Sequence, residues 1–195
     1  MSQVLVKRKV GLLSGLLLLL CSTATFALDA VLVSKDGGNQ TITGTIVEDN
    51  LNGIVLEKEG ATIPVARTDI QKFKYGNMPK MLEDTKEAID NESWVEAQDF
   101  LRAAGGELRK IDPKQRNLIL QYAYYYRAVV LHNTGNYAEA DKAYSQAASI
   151  VKDGRFYFDA KLGQAKLLED AGKIQQAKSK YTLWLSDFVN KAKNL

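Results

Sequence analysis

Cysteine and histidine are almost missing from this chain: Cys21 and His132 are the only examples among 195 residues. A single cysteine forms no intramolecular disulfide, so stability has to come from packing. A single histidine, with no second histidine and no cysteine in residues 28–195, is too poor a donor set for a zinc or other transition-metal site. No metal or other cofactor is expected. No serine sits in a nucleophile motif. Lys35-Asp36-Gly37-Gly38 lacks both the Gly-Lys-Ser/Thr and the following helix of a phosphate loop, so it reads as a turn. The adjacent acids Glu48-Asp49 and Glu169-Asp170 read as solvated surface, and His132 as a residue near the exposed end of a helix. None of these patterns calls for a catalyst.

An excess of one charge is missing too. Of the 26 Lys and Arg, three (Lys7, Arg8 and Lys9) lie in the first 27 residues, which hold no acid; residues 28–195 therefore carry 23 of each sign. The apparent basicity belongs to the N-terminus and gives no support to nucleic-acid or anionic-lipid binding. Those three cations precede an apolar run, Val10 to Leu20, and Thr25-Phe26-Ala27 places small residues at the −3 and −1 positions of a cleavage site. This is the layout of a secretory signal peptide over residues 1–27, cut after Ala27. A membrane anchor is the competing reading, but the last third of the uncharged stretch holds Cys21, Ser22, Thr23 and Thr25. Leu20 before Cys21 is too large for a lipoprotein signal. The expectation is an exported protein, periplasmic or secreted, with no membrane span after cleavage.

Proline is scarce as well, with only Pro64, Pro79 and Pro113, and each marks a structural change. From Asp29 to Tyr75 the pattern is strand-like. Ala30–Val33, Thr41–Val47, Ile54–Lys58, Ala61–Val65 and Phe73–Tyr75 are short β-rich runs separated by Gly and Asn turns. Pro64 argues for an edge or a strand end. Five strands in so short a segment protect their edges by curling into a small barrel, expected over 28–76. After Met78-Pro79 the period turns helical. Helices are expected from Lys80 to Asn91, from a Ser93–Glu96 capping box, and from Asp112-Pro113 onward, with later ones near 137–151, 156–170 and 174–192. Gly105-Gly106 is expected to weaken or end the second. The fold class is therefore α+β, a small barrel followed by an all-α domain of about six helices over 79–195.

Two segments of the helical part repeat one pattern. Gly135-Asn136-Tyr137-Ala138-Glu139-Ala140 is followed by Tyr144 and Ala147, and Gly172-Lys173-Ile174-Gln175-Gln176-Ala177 by Tyr181. A Gly turn, then a small residue and an aromatic on one helix face, resembles the tetratricopeptide-repeat hairpin. Ala88, Trp94, Ala97, Leu101 and Ala104 form a degenerate first copy. The key alanines at 97, 140 and 177 are spaced more widely than the family's 34 residues, and Trp184 stands where it has a small residue. The strand region resembles an Sm-like or SH3-like barrel in Val31-x-Val33, Gly44 and Ile70. Asp49 followed by Gly53, and Arg67-Thr68, depart from the RNA-binding pattern of Sm proteins, so nucleic acid is not an expected partner.

The tetratricopeptide resemblance implies protein–protein binding through a concave groove lined by the first helix of each hairpin. It directs Tyr122, Tyr125, Tyr126, Val129 and Asn133 to that groove, with Asp159, Leu162, Lys166 and Glu169 from the third hairpin and Leu82, Lys86 and Ile89 from the first. Packing of the tyrosines against the barrel is the alternative. A scaffold or interaction module of the envelope is the expected function. An accessory factor of an envelope enzyme complex or an Sm-like nucleic-acid binder is the alternative.

Overall fold

The computed structural model describes residues 28–35 and 38–193. The expected signal peptide lies outside the described residues. Five antiparallel strands come first: β1 (Asp29–Lys35), β2 (Gly38–Asn50), β3 (Gly53–Lys58), β4 (Ala61–Ala66) and β5 (Ile70–Lys74). Six helices follow: α1 (Lys80–Asp90), α2 (Trp94–Leu108), α3 (Pro113–Asn133), α4 (Tyr137–Ser149), α5 (Tyr157–Asp170) and α6 (Ile174–Ala192).

The strand order is β4-β3-β2-β1-β5. β2 is long enough to serve two partners, its first half pairing with β1 and its second with β3. Gly44 stands at the handover, where a Cβ would lie 2.8 Å from the Glu57 carbonyl oxygen. That close approach requires glycine. The expected closed barrel is not found. The sheet is open, and no ladder joins its edges β4 and β5. The reason lies in what covers the inner face. Val31, Val33, Ile46, Ile54, Leu56 and Val65 share one buried cluster with Ile111, Leu118, Ile119 and Tyr122. Helices supply the second layer that curling would otherwise provide. The edges are protected locally, by Pro64 on β4 and by exposed Lys72 and Lys74 on β5.

Polar contacts fasten the layers together. Asp29 is buried and accepts from the Ile46 N–H at 2.6 Å, the Gly76 N–H at 2.6 Å and Gln115 Nε2 at 2.5 Å. It thus ties β1 to β2, to the segment after β5, and to α3. Asp49, expected at the surface, is buried as well. Its carboxylate accepts from Arg67 at 2.5 Å and from the Tyr75 hydroxyl at 3.2 Å. β2 ends over the helical layer, so this acid faces inward and the ion pair offsets its desolvation.

The helices pair in sequence, α1 with α2, α3 with α4, and α5 with α6. Gly135 and Gly172 take φ of 77° and 72° at the α3–α4 and α5–α6 turns, a left-handed conformation that favours glycine. Ala128, Ala140, Ala147 and Ala160 are fully buried, so neighbouring helices approach closely, and Tyr144 fills the space beside them. Asp112 caps α3 as expected, accepting from the Lys114 N–H at 2.8 Å. The Ser93 and Asn136 side chains make no cap bond, and α2 continues through Gly105-Gly106 to Leu108.

Candidate functional site

Helical spacing brings Tyr122, Tyr125, Tyr126 and Val129 to one face of α3, and Leu82, Lys86 and Ile89 to one face of α1. The two faces meet the end of the sheet, where Phe73 and Tyr75 project from β5 and the residue following it. Arg155 and Phe156, from the loop between α4 and α5, complete a cavity of about 550 Å³. That volume lies in the range of small-ligand pockets, about 300–1,000 Å³.

The loop is held by bonds outside the cavity. The Leu51 N–H donates to the Asp153 carbonyl at 2.9 Å, and Asn50 forms a bridge with Gly154. Beneath it, buried Gln121 donates to the Ala147 carbonyl at 2.9 Å. The β2–β3 turn therefore fixes where Arg155 and Phe156 stand.

The aromatic rings lock one another. Tyr122 meets Tyr75 edge-on at 5.8 Å, Tyr126 at 6.0 Å and Phe156 at 4.7 Å between centroids. Tyr125 stacks on Phe156 at 4.4 Å. Pairs of this kind contribute about 0.5–1.5 kcal/mol each beyond their area. Both Tyr122 and Tyr126 are 8 % exposed, and Tyr125 is half-buried. The tyrosines thus pack against the sheet's end and also line the cavity.

Their hydroxyls are the chemical point of interest. Tyr75 spends its hydroxyl on Asp49, but those of Tyr122, Tyr125 and Tyr126 make no hydrogen bond among the described residues. Gln115 Oε1 is the one fully buried side-chain polar atom without a partner there, so the three phenol oxygens keep contact with solvent. Burial pushes Tyr125 up to about 12, with Asp159 adding to it. Burial raises Tyr122 and Tyr126 further, partly offset by the Arg155 charge. All three therefore remain neutral donors at physiological pH.

Charges stand at the rim. Lys74 pairs with Glu83 at 3.5 Å and Lys86 with Asp90. The Arg155 guanidinium lies over the Phe73 ring, 4.7 Å from its centroid, and makes no ion pair among the described residues.

Five of the residues directed to the groove lie elsewhere, among them Asp159 and Glu169, both exposed on α5. Asn133 is exposed at the end of α3, where its Nδ2 donates to the Val129 carbonyl at 2.8 Å. On α5, Leu162 is half-buried and Lys166 exposed, and neither lines the cavity. The sequence reading missed Phe73, Arg155 and Phe156. The only signal was the aromatic run Phe156-Tyr157-Phe158 between two helices, which does not say which ring faces the tyrosines. His132, read as a helix-end residue, bridges three helices, with Nδ1 3.3 Å from the Tyr144 hydroxyl and Nε2 2.8 Å from Asp170. No family model, curated protein or solved structure matches the chain.

Proposed function

We propose that this chain is a non-catalytic partner-binding protein, exported to the periplasm or envelope, with tetratricopeptide-like hairpins. It receives a polypeptide segment of its partner in the tyrosine-lined cavity between α1, α3 and the end of the sheet. The Gly turns, the buried alanines and the aromatic at the same place in the second hairpin support the repeat reading. One observation carries the binding reading: three tyrosines whose hydroxyls make no hydrogen bond among the described residues line a pre-formed, largely apolar cavity. Such groups match the carbonyls of an incoming backbone, and rigid aromatics give contact area at low entropy cost.

The test exploits the idle hydroxyls. Replacing Tyr122, Tyr125 and Tyr126 together by Phe removes no internal hydrogen bond, so the melting temperature should hold within about 2 °C of wild type. Capture of partner by the tagged full chain from an envelope fraction should fall several-fold. A large drop in melting temperature would assign the hydroxyls a structural role. Unchanged capture by a stable variant would remove the cavity from the binding site.

A further inference from the structure

The charges around the cavity are not equivalent, and the difference selects a ligand. Lys74 and Lys86 each hold an acid at the rim, whereas Arg155 holds none. Asp159, one turn along α5, is near enough to act on the Arg155 charge but makes no ion pair with it. Arg155 is exposed, and its Cζ lies over the Phe73 ring and 6.0 Å from the Phe156 centroid. The two ring contacts restrain the side chain, and no ion pair occupies its N–H donors among the described residues, so they are available to a carboxylate. The ring wall formed by Tyr122, Tyr126 and Phe156 lies beside it.

Resting on the reading that the cavity receives a polypeptide, we propose that it selects an apolar side chain flanked by an Asp or Glu within the partner chain. The apolar group enters among Tyr122, Tyr126 and Phe156, and the carboxylate meets Arg155 at the mouth. Among the described residues lining the cavity Arg155 is the one cation without an acid, so its mouth suits a single carboxylate, and a free chain terminus, which brings the same charge, is an outcome of the test. The tyrosine hydroxyls next to it are left for the peptide backbone.

Three synthetic peptides test this, each with one para-fluorophenylalanine as a fluorine NMR probe. The first is acetylated and amidated, Gly-Ser-Phe-Ser-Glu-Ser-Gly. The second replaces its Glu with Gln, and the third, Gly-Ser-Gly-Ser-Phe, ends in a free carboxylate. Titrated into the full-length protein, the Glu peptide should shift its fluorine resonance and bind about tenfold tighter than the Gln peptide, as expected of one charge-assisted contact. In Arg155→Gln the preference should collapse to about twofold or less, with melting temperature unchanged because the side chain is exposed. Arg155→Lys should restore only part of it, since an ammonium lacks the planar fork. Equal binding of the Glu and Gln peptides, or a preference that survives Arg155→Gln, overturns the carboxylate assignment and leaves peptide binding standing. Tighter binding of the free-acid peptide overturns the internal acid in favour of a chain terminus. Failure of all three at millimolar concentration overturns the peptide reading and this inference with it.

Discussion

Replacing Gly154 should do much damage for little added mass. A Cβ there would lie 2.4 Å from Gln121 Nε2, 2.8 Å from Gln121 Oε1 and 2.8 Å from the Val151 Cβ. Contacts this short are not tolerated, so Gly154→Ala must move either the loop or Gln121. Gln121 is almost fully buried and bonded to the Ala147 carbonyl, so moving it strands a buried acceptor. Overpacking costs about 1–3 kcal/mol, and the lost hydrogen bond about 1 kcal/mol more. The sum, roughly 2–4 kcal/mol, corresponds to about 5–12 °C in melting temperature for a chain of this size. Because the loop presents Arg155 and Phe156 to the cavity, peptide affinity should fall as well. A double-mutant cycle read by urea melts isolates the cause. Gln121→Ala makes room for the methyl, so Gly154→Ala should cost less than about half as much in that background, a coupling of about 1–2 kcal/mol. The residual cost belongs to Val151. A single variant within about 0.5 kcal/mol of wild type, or a cycle with no coupling, would refute the packing described for this loop.

The other expectations are simpler. Ala140→Leu should lower stability by about 1–3 kcal/mol, because the fully buried methyl sits where α3, α4 and α5 converge, whereas exposed Lys142→Ala should be nearly silent; equal melts would contradict the helix register. Asp29→Ala strands two buried donors and a half-buried one and should cost roughly 3–5 kcal/mol, whereas Asp29→Asn, which keeps one acceptor oxygen, should cost less. Burial raises the Asp29 carboxyl above its ordinary 3.8, against the pull of its hydrogen bonds. The folded state therefore binds more proton than the unfolded state just above pH 3.8. This contribution to stability falls as pH rises through that window and is level above the folded value. Urea melts across acid pH should show a difference between wild type and Asp29→Asn with that sign, and the opposite sign would mean the hydrogen bonds outweigh burial. Intact mass measured on the exported protein should place its N-terminus at Leu28, and an unprocessed Met1 or a lipid on Cys21 would redirect localisation.

Local chemistry was legible in the sequence because each signal is complete within a few residues. Pro113 after Asp112 starts α3, the Gly turns at 135 and 172 end α3 and α5, and alternation places β1, β3 and β4 within two residues of their limits and β2 and β5 within three. The barrel failed for a reason that strand patterns do not carry. Whether a sheet closes on itself depends on what else is available to cover it. The covering surface runs from Leu82 to Tyr122, beyond the last strand, and most of it, from Ile111 to Tyr122, lies more than 30 residues after it. Asp49 was misread by the same route. Beside Glu48 it has the composition of surface, and only the return of Arg67 and Tyr75 to it, 18 and 26 residues later, makes burial tolerable.

The cavity shows both outcomes at once. Its α1 and α3 walls follow from helical spacing, which is why Tyr122, Tyr125, Tyr126 and Val129 share it with Leu82, Lys86 and Ile89. A regular superhelix would have carried the groove on to Leu162 and Lys166. Instead the sheet's end and the Arg155–Phe156 loop occupy that flank, turning an open groove into a bounded pocket with one unpaired cation at its mouth. Helical spacing puts the aromatic wall on one face of α3. The cation and the boundary, which choose among ligands, come from a loop that the contacts of Asn50 and Leu51 with Gly154 and Asp153 bring to the sheet.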